Sequence, residues 1–139
     1  MSTENKEVVR RIFEDLFDRG DVEKADELVA SDLVEHSAHP SGASGPGSIT
    51  QIVAWCHRTL LDVHFTIEDM VAEGDYVAAR VTLRGTHQGE MMGLAPTGKR
   101  LSQAQMHLCR IISGKMVEHW EVTDGLGMMQ QLGVIPSHS

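Results

Sequence analysis

From Val8 onward the apolar residues Val8, Val9, Ile12, Phe13, Leu16 and Phe17 recur at helical spacing, while Glu7, Arg10, Arg11, Glu14, Asp15 and Asp18 fill the other face. This predicts an amphipathic helix, stopped by Gly20. Asp21 is placed to cap a second helix with Val22, Ala25, Leu28 and Val29 turned inward, and the two helices form a hairpin. A short strand is predicted over 32–36. The Gly, Pro and Ser residues of 37–47 then mark a loop, read as a mobile lid or mouth. Ser48 stands three residues before Gln51, the spacing of a capping box, and Ile49, Ile52, Val53, Cys56 and Leu60 form the buried stripe of a third helix. Trp55 lies off that stripe, facing either a pocket or a partner subunit.

At Val63 the period changes to two. Val63, Phe65 and Ile67 alternate with His64, Thr66 and Glu68, as in a half-buried strand. Glu73-Gly74-Asp75 is a turn, after which Val77, Ala79, Val81 and Leu83 share one face and Tyr76, Arg80, Thr82 and Arg84 the other. Gly and Pro interrupt 85–100, and a further strand runs from Leu101 to Ile112. A three-residue turn at Ser113-Gly114-Lys115 pairs Ile112 with Met116 and sets Arg110 opposite Glu118; a two-residue turn pairs Arg110 with Val117 instead. The last strand ends at Asp124, followed by a short helix over 125–132. Three helices and an early strand, then a run of long antiparallel strands, define an α+β domain.

The 139 residues, 41% of them hydrophobic, suffice for one domain spanning 1–139. A net charge of −8 argues against nucleic acid and anionic membranes as partners. Residues 1–35 carry eleven acidic against five basic side chains, and most of that charge fits the solvated faces of the first two helices. The polar start lacks the apolar core of a signal peptide, and no run is long enough to cross a bilayer. Cys56 and Cys109 have no metal-type spacing and are expected as buried free thiols in a reducing cytoplasm. Eight Met against three Phe, two Trp and one Tyr point to a Met-rich core or, more sharply, a Met-lined pocket.

Several chemistries find little support. His36 and His39 lack a third ligand for zinc, no Gly-rich phosphate loop appears, and neither cysteine nor any serine lies in a nucleophile motif. Carboxylate and imidazole chemistry remains, with Asp124, Glu118, Glu121, His107, His119, His87, His64 and His36 as candidates. By strand parity His107 lies with Gln105, Cys109 and Ile111, and His119 with Val117 and Glu121, while Asp124 shares the opposite face with Trp120 and Val122. The Trp120, Val122 and Asp124 face is the preferred pocket wall because it joins apolar surface to one polar group. Apolar neighbours would make Asp124 more basic, suiting a general base; as the residue before a helix it equally suits an N-cap.

Taken together, Gly85-Thr86-His87-Gln88-Gly89, Pro96-Thr97-Gly98-Lys99, Gly114-Lys115-Met116-Val117-Glu118-His119-Trp120, Asp124 and Gln131-Leu132-Gly133 resemble the SnoaL-like polyketide cyclases, or ester cyclases, of the nuclear transport factor 2-like superfamily. The start, Asn5 to Phe13 with Arg19-Gly20-Asp21, is similar too. The resemblance implies a cone-shaped α+β barrel, its strongly curved, mostly antiparallel sheet wrapped around three helices, with a pocket at the open end. It implies a cyclase or isomerase in which an aspartate, here Asp124, removes a proton next to carbonyl groups and the enolate closes a ring, with no cofactor or metal. His107 or His119 would polarise the acceptor carbonyl, and Trp120, Val122, Trp55, His36, Met106 and Met92 are the candidate substrate contacts. The expected partners are a hydrophobic small molecule and a second copy of the chain, forming a homodimer through the outer sheet face. Pockets of characterised cyclases also use asparagine, whereas the only Asn here is Asn5. A non-catalytic binding protein and a hydrolase or hydroxylase using the same pocket are the alternatives.

Overall fold

The computed structural model describes residues 2–37 and 45–136. The first helix, α1 (Ser2–Arg11), runs directly into a π-helical segment, Ile12–Asp18, whose Ile12, Phe13, Leu16 and Phe17 are all buried. Gly20, at φ +71°, ends it. The expected second helix is shorter than its pattern suggested, and Asp21 makes no side-chain cap. A 3-10 turn (Val22–Lys24) leads into α2 (Ala25–Leu28), and Val29 is already extended. Strand β1 (Val29–Glu35) therefore starts three residues earlier than predicted, with Val29, Ala30 and Leu33 buried.

Helix α3 (Pro46–Thr59) begins with a proline in its first turn, where the missing N–H costs no hydrogen bond. The capping box is not formed: the Ser48 hydroxyl donates to the Gly45 carbonyl at 2.8 Å, in the interior. Gly45 precedes the helix at φ +62°, and a Cβ there would lie 2.6 Å from the Ser31 carbonyl oxygen. Of the expected lid, residues 38–44 lie outside the described residues.

Four long strands follow: β2 (Leu60–Glu73), β3 (Tyr76–His87), β4 (Arg100–Ile112) and β5 (Lys115–Thr123). The sheet order is β1-β5-β4-β3-β2, with β1 parallel to β5 and every other pair antiparallel. Register shifts after Leu61 and Ile67 interrupt the β2–β3 ladder, and such bulges bend and twist a sheet. The β4–β5 turn has two residues, with Ser113 at φ +51° and Gly114 at φ +79°, and Ile112 faces Lys115. A bulge beyond Arg110 then restores the Arg110–Glu118 pairing, whose side chains meet at 3.2 Å. The ion pair expected from the longer turn thus forms through the shorter one.

One face of the sheet packs on α1 and its π-helical continuation: Val9, Ile12, Phe13 and Leu16 join Val77, Ala79, Val81, Leu83, Cys109 and Ile111 in a single buried cluster. Each such aliphatic or aromatic side chain contributes about 1.5–3 kcal/mol by leaving water. A fourth helix, α4 (Gly125–Leu132), adds Met128 and Leu132 to this cluster. It is tied to β4 by the Gln131 amide, which accepts from the Ser102 N–H at 2.8 Å and donates to the Ser102 carbonyl at 2.7 Å. The α+β class and curved, mostly antiparallel sheet match expectation, and α4 is the short helix expected over 125–132.

The β3–β4 connection turns back on α3 where the Gln88 and Gly89 N–H groups both donate to the Thr59 carbonyl at 3.0 Å. A Cβ on Gly89 would lie 2.2 Å from the Arg58 carbonyl oxygen. Gly89→Ala should therefore lower stability by roughly 1–3 kcal/mol in chemical denaturation. Gly125→Ala, with nothing near its Cβ, should stay within about 0.5 kcal/mol of the parent.

Candidate active site

The pairing of β4 with β5 assigns each candidate on these two strands to one side of the sheet or the other. His107 faces Glu121 and Cys109 faces His119, so these four lie on the inner surface with Gln103 and Gln105. Leu108 faces Trp120 and Met106 faces Val122, on the outer surface. The Trp120, Val122 and Asp124 face, expected as the pocket wall, is therefore the one turned away from the helices. Val122 is 74% exposed, Met106 and Leu108 are exposed, and Trp120 is stacked by His36 at 4.4 Å between ring centroids. His36 is held outside as well, its Nε2 lying 2.8 Å from the Glu118 carboxylate.

Asp124 continues the outer parity and is exposed. Its N–H donates to the Ala104 carbonyl at 3.0 Å, and its Oδ1 accepts from the Gly127 N–H at 2.8 Å, the N-cap of α4. Of the two roles left open by the sequence, this structure displays the cap. The other expected contacts are scattered. Trp55 is half-buried against the core, and Met92 is exposed at a cleft of about 200 Å³ formed with Met91, Gly93, Leu94, Met129, Leu132 and Val134. Among the remaining histidines, His64 pairs with Asp18 at 2.7 Å, and buried His87 bonds Thr97.

What the fold does bring together is a buried row of polar side chains across three strands. Glu35, at the end of β1, lies 2.7 Å from His119 Nδ1 on β5; His119 Nε2 lies 2.9 Å from His107 Nδ1 on β4. His107 Nε2 is 2.8 Å from the Gln105 oxygen, and the Gln105 amide donates to Gln103 at 2.9 Å. Phe13 stands edge-on to the His107 ring at 4.8 Å, so helix and sheet close over the row together. Glu121 flanks it, with a carboxylate oxygen 3.8 Å from His107 Nδ1. Exposure ranks the group: the side chains of His107, His119 and Glu35 are 1%, 4% and 7% exposed, and that of Glu121 is 16%. Glu121 is thus the least buried ionisable member of the group.

Sequence parity had already grouped His107 with Gln105 and His119 with Glu121. Glu35 was missed. Its one local signal is that it shares the inner parity of β1 with buried Leu33, a charged group at the end of an apolar strand face.

Electrostatics follow from this enclosure. Burial holds His107 well below the ordinary histidine value, and neighbouring His119 pushes in the same direction, so His107 rests neutral. Burial raises the Cys56 and Cys109 thiols to about 12, with a smaller contribution from Glu121 at both and from Glu35 at Cys109. The Glu121 charge is therefore felt on α3 as well as on β4. Neutral imidazole, carboxylate and amide groups in a partly dry site are the components of general acid–base chemistry. Among the described residues no group of three or more His, Cys, Asp or Glu is placed to hold a metal ion, and no helix is long and apolar enough to cross a membrane.

The profile of the SnoaL-like polyketide cyclase family matches residues 7–132. The chain is 33% identical over 123 residues to the nogalonic acid methyl ester cyclase of Streptomyces nogalater, covering 84% of this chain and 89% of that protein. It is 31% identical over 130 residues to the aklanonic acid methyl ester cyclase DnrD of Streptomyces peucetius, covering 91% and 89%. Among solved structures it superposes on IdmH of Streptomyces antibioticus with a TM-score of 0.80 at 33% identity, over 93% of this chain and 98% of the other.

Two outcomes test this placement. Removing the cap with Asp124→Ala should cost about 1 kcal/mol in denaturant unfolding, while Asp124→Asn, also a good cap, should be nearly neutral. With thiols at about 12, only about one in ten thousand is ionised at pH 8, so iodoacetamide should leave Cys56 and Cys109 unmodified in the native protein and label both in urea.

Proposed function

Because the chain belongs to the SnoaL-like polyketide cyclase family, we propose that it closes a ring in a carbonyl-rich polyketide methyl ester by intramolecular aldol addition, with Glu121 as the base. The supporting observation is the inner-face pair: a partly open Glu121 carboxylate 3.8 Å from buried, neutral His107. Glu121 takes the proton from a carbon flanked by carbonyls, and the resulting enolate attacks a ketone of the same molecule. A carbon–carbon bond forms, the ketone oxygen becomes an alkoxide, and the Glu121 carboxyl returns to that oxygen the proton it took from carbon, which restores the carboxylate. Substrate and product are isomers, and proton transfers alone complete the cycle, so the reaction calls for no cofactor. The protein's contribution is a base of matched strength and a shaped, water-poor surface that holds the reacting carbons together.

Glu121 supports this role better than Asp124, whose carboxylate is engaged as a cap on the far side of the sheet. With nogalonic and aklanonic acid methyl esters as probes, Glu121→Gln should lower kcat by at least about 100-fold while the circular dichroism spectrum is kept, and Asp124→Asn should retain parental turnover. Full activity in Glu121→Gln would remove the base assignment. A parent protein that returns both esters unchanged would remove the proposed substrate class.

We further propose that a second copy covers the outer sheet face, where Tyr76, Met106, Leu108 and Val122 are exposed around Trp120. Light scattering at micromolar concentration should give twice the chain mass, and Met106→Glu/Val122→Glu should halve it; a monomeric parent would refute the dimer.

A further inference from the structure

Glu35 and His119 take no direct part in the scheme above, yet they form the most enclosed ion pair among the described residues. With the two side-chain amides oriented as in the structure, the hydrogen bonds along their row imply how many protons it contains. At one end the Gln103 amide donates to the Asp124 carbonyl at 3.4 Å, which turns the Gln103 oxygen toward the Gln105 amide. The Gln105 oxygen is thereby left as an acceptor facing His107 Nε2, so that nitrogen carries a proton. The 2.9 Å link between His107 Nδ1 and His119 Nε2 needs one proton, and so does the 2.7 Å link between His119 Nδ1 and Glu35. Three links thus hold three protons. Two neutral imidazoles bring only two.

We propose that Glu35, His119 and His107 share one added proton, held in the resting protein by His119 against an ionised Glu35, and that Glu35 is the positioning residue that keeps it there. The Ser37 N–H, donating to the second Glu35 oxygen at 3.1 Å, favours the carboxylate form. The added proton makes the trio electrically neutral, whereas a bare carboxylate beside two neutral rings would bury a net negative charge. It stays off His107 because that ring is the most deeply buried and already lies beside His119. The ionisable groups facing the pair are Glu35 from β1, His107 and Cys109 from β4, Glu121 from β5 and Cys56 from α3; both thiols are neutral, leaving Glu121 as the nearby anion.

Resting on the reading of Glu121 as base, this assigns the row a task. When Glu121 gains the substrate proton and negative charge passes to the enolate, the added proton crosses the 2.9 Å link from His119 Nε2 to His107 Nδ1. His119 keeps its Nδ1 proton and becomes neutral, and His107 becomes the imidazolium. A positive charge has then moved one ring closer to the reacting oxygen with no change in heavy-atom positions, and its field stabilises the alkoxide.

The test is histidine ¹⁵N–¹H spectroscopy of the full-length protein without substrate at pH 7. In the parent, both nitrogens of His119 and Nε2 of His107 should carry protons, with Nδ1 of His107 bare. A His119 ring with one bare nitrogen would overturn the proposal without recourse to any variant. Glu35→Gln retains an acceptor oxygen but no charge, and should leave His119 with a single proton; a doubly protonated His119 in that variant would overturn the role of Glu35. Glu121→Gln should leave this proton inventory intact while abolishing turnover. Failure of the base assignment would therefore appear in kinetics alone, and failure of the shared proton in the spectrum alone.

Discussion

The 2.7 Å contact between Glu35 and His119 joins the first strand of the sheet to the last, and much of the architecture answers to it. A carboxylate that is 7% exposed and an imidazole that is 4% exposed tolerate burial only if each meets a partner of suitable sign and geometry. The parallel pairing of β1 with β5, with Glu35 level with His119, supplies that partner. His119 then hands the requirement on to His107, and His107 to Gln105 and Gln103, until the row ends on the Asp124 carbonyl beside the first turn of α4. A one-residue slip in any of these pairings would turn the inner polar residues outward and break the row. Register, burial and hydrogen bonding are satisfied together.

The same enclosure creates a gradient useful for chemistry. The deepest member, His107, lies under Phe13 and is held neutral, while Glu121 sits at the accessible margin of the same face. In the proposed reaction this gradient separates proton capture, at Glu121, from proton storage deeper in the row. The π-helical segment that carries Phe13 matters here, because its widened turn buries four consecutive large apolar residues of the helix stripe against the sheet and places one of them over the imidazole. On the other side of β5, Glu118, His36 and Trp120 form an outward cluster in which His36 and, less strongly, Arg110 hold the Glu118 carboxyl below the usual range.

The period of two in Val77 to Leu83, the helical stripe from Val8 to Phe17, and the parity of His107 with Gln105 and of His119 with Glu121 were legible in the sequence, since each depends only on local geometry. The choice between the two faces of β5 was not. Trp120 and Val122 look like an inner wall, but their partners across the ladder are Met106 and Leu108, and the outer surface of this sheet is itself apolar. Glu35 was illegible for a related reason: its role comes from a parallel pairing with a strand 84 residues later, which no local pattern encodes. The early start of β1, the unformed capping box at Ser48 and the bulge beyond Arg110 are smaller cases of tertiary contacts overriding propensity.

The reaction surface proposed is the inner face, at Glu121, and not the outer edge at Asp124. A crystal structure with a non-cyclising analogue of a polyketide methyl ester tests it directly. The acidic carbon should lie within roughly 3–3.5 Å of a Glu121 carboxylate oxygen, with the acceptor carbonyl turned toward His107. An analogue bound with that carbon against Asp124, and Glu121 out of reach, would contradict it.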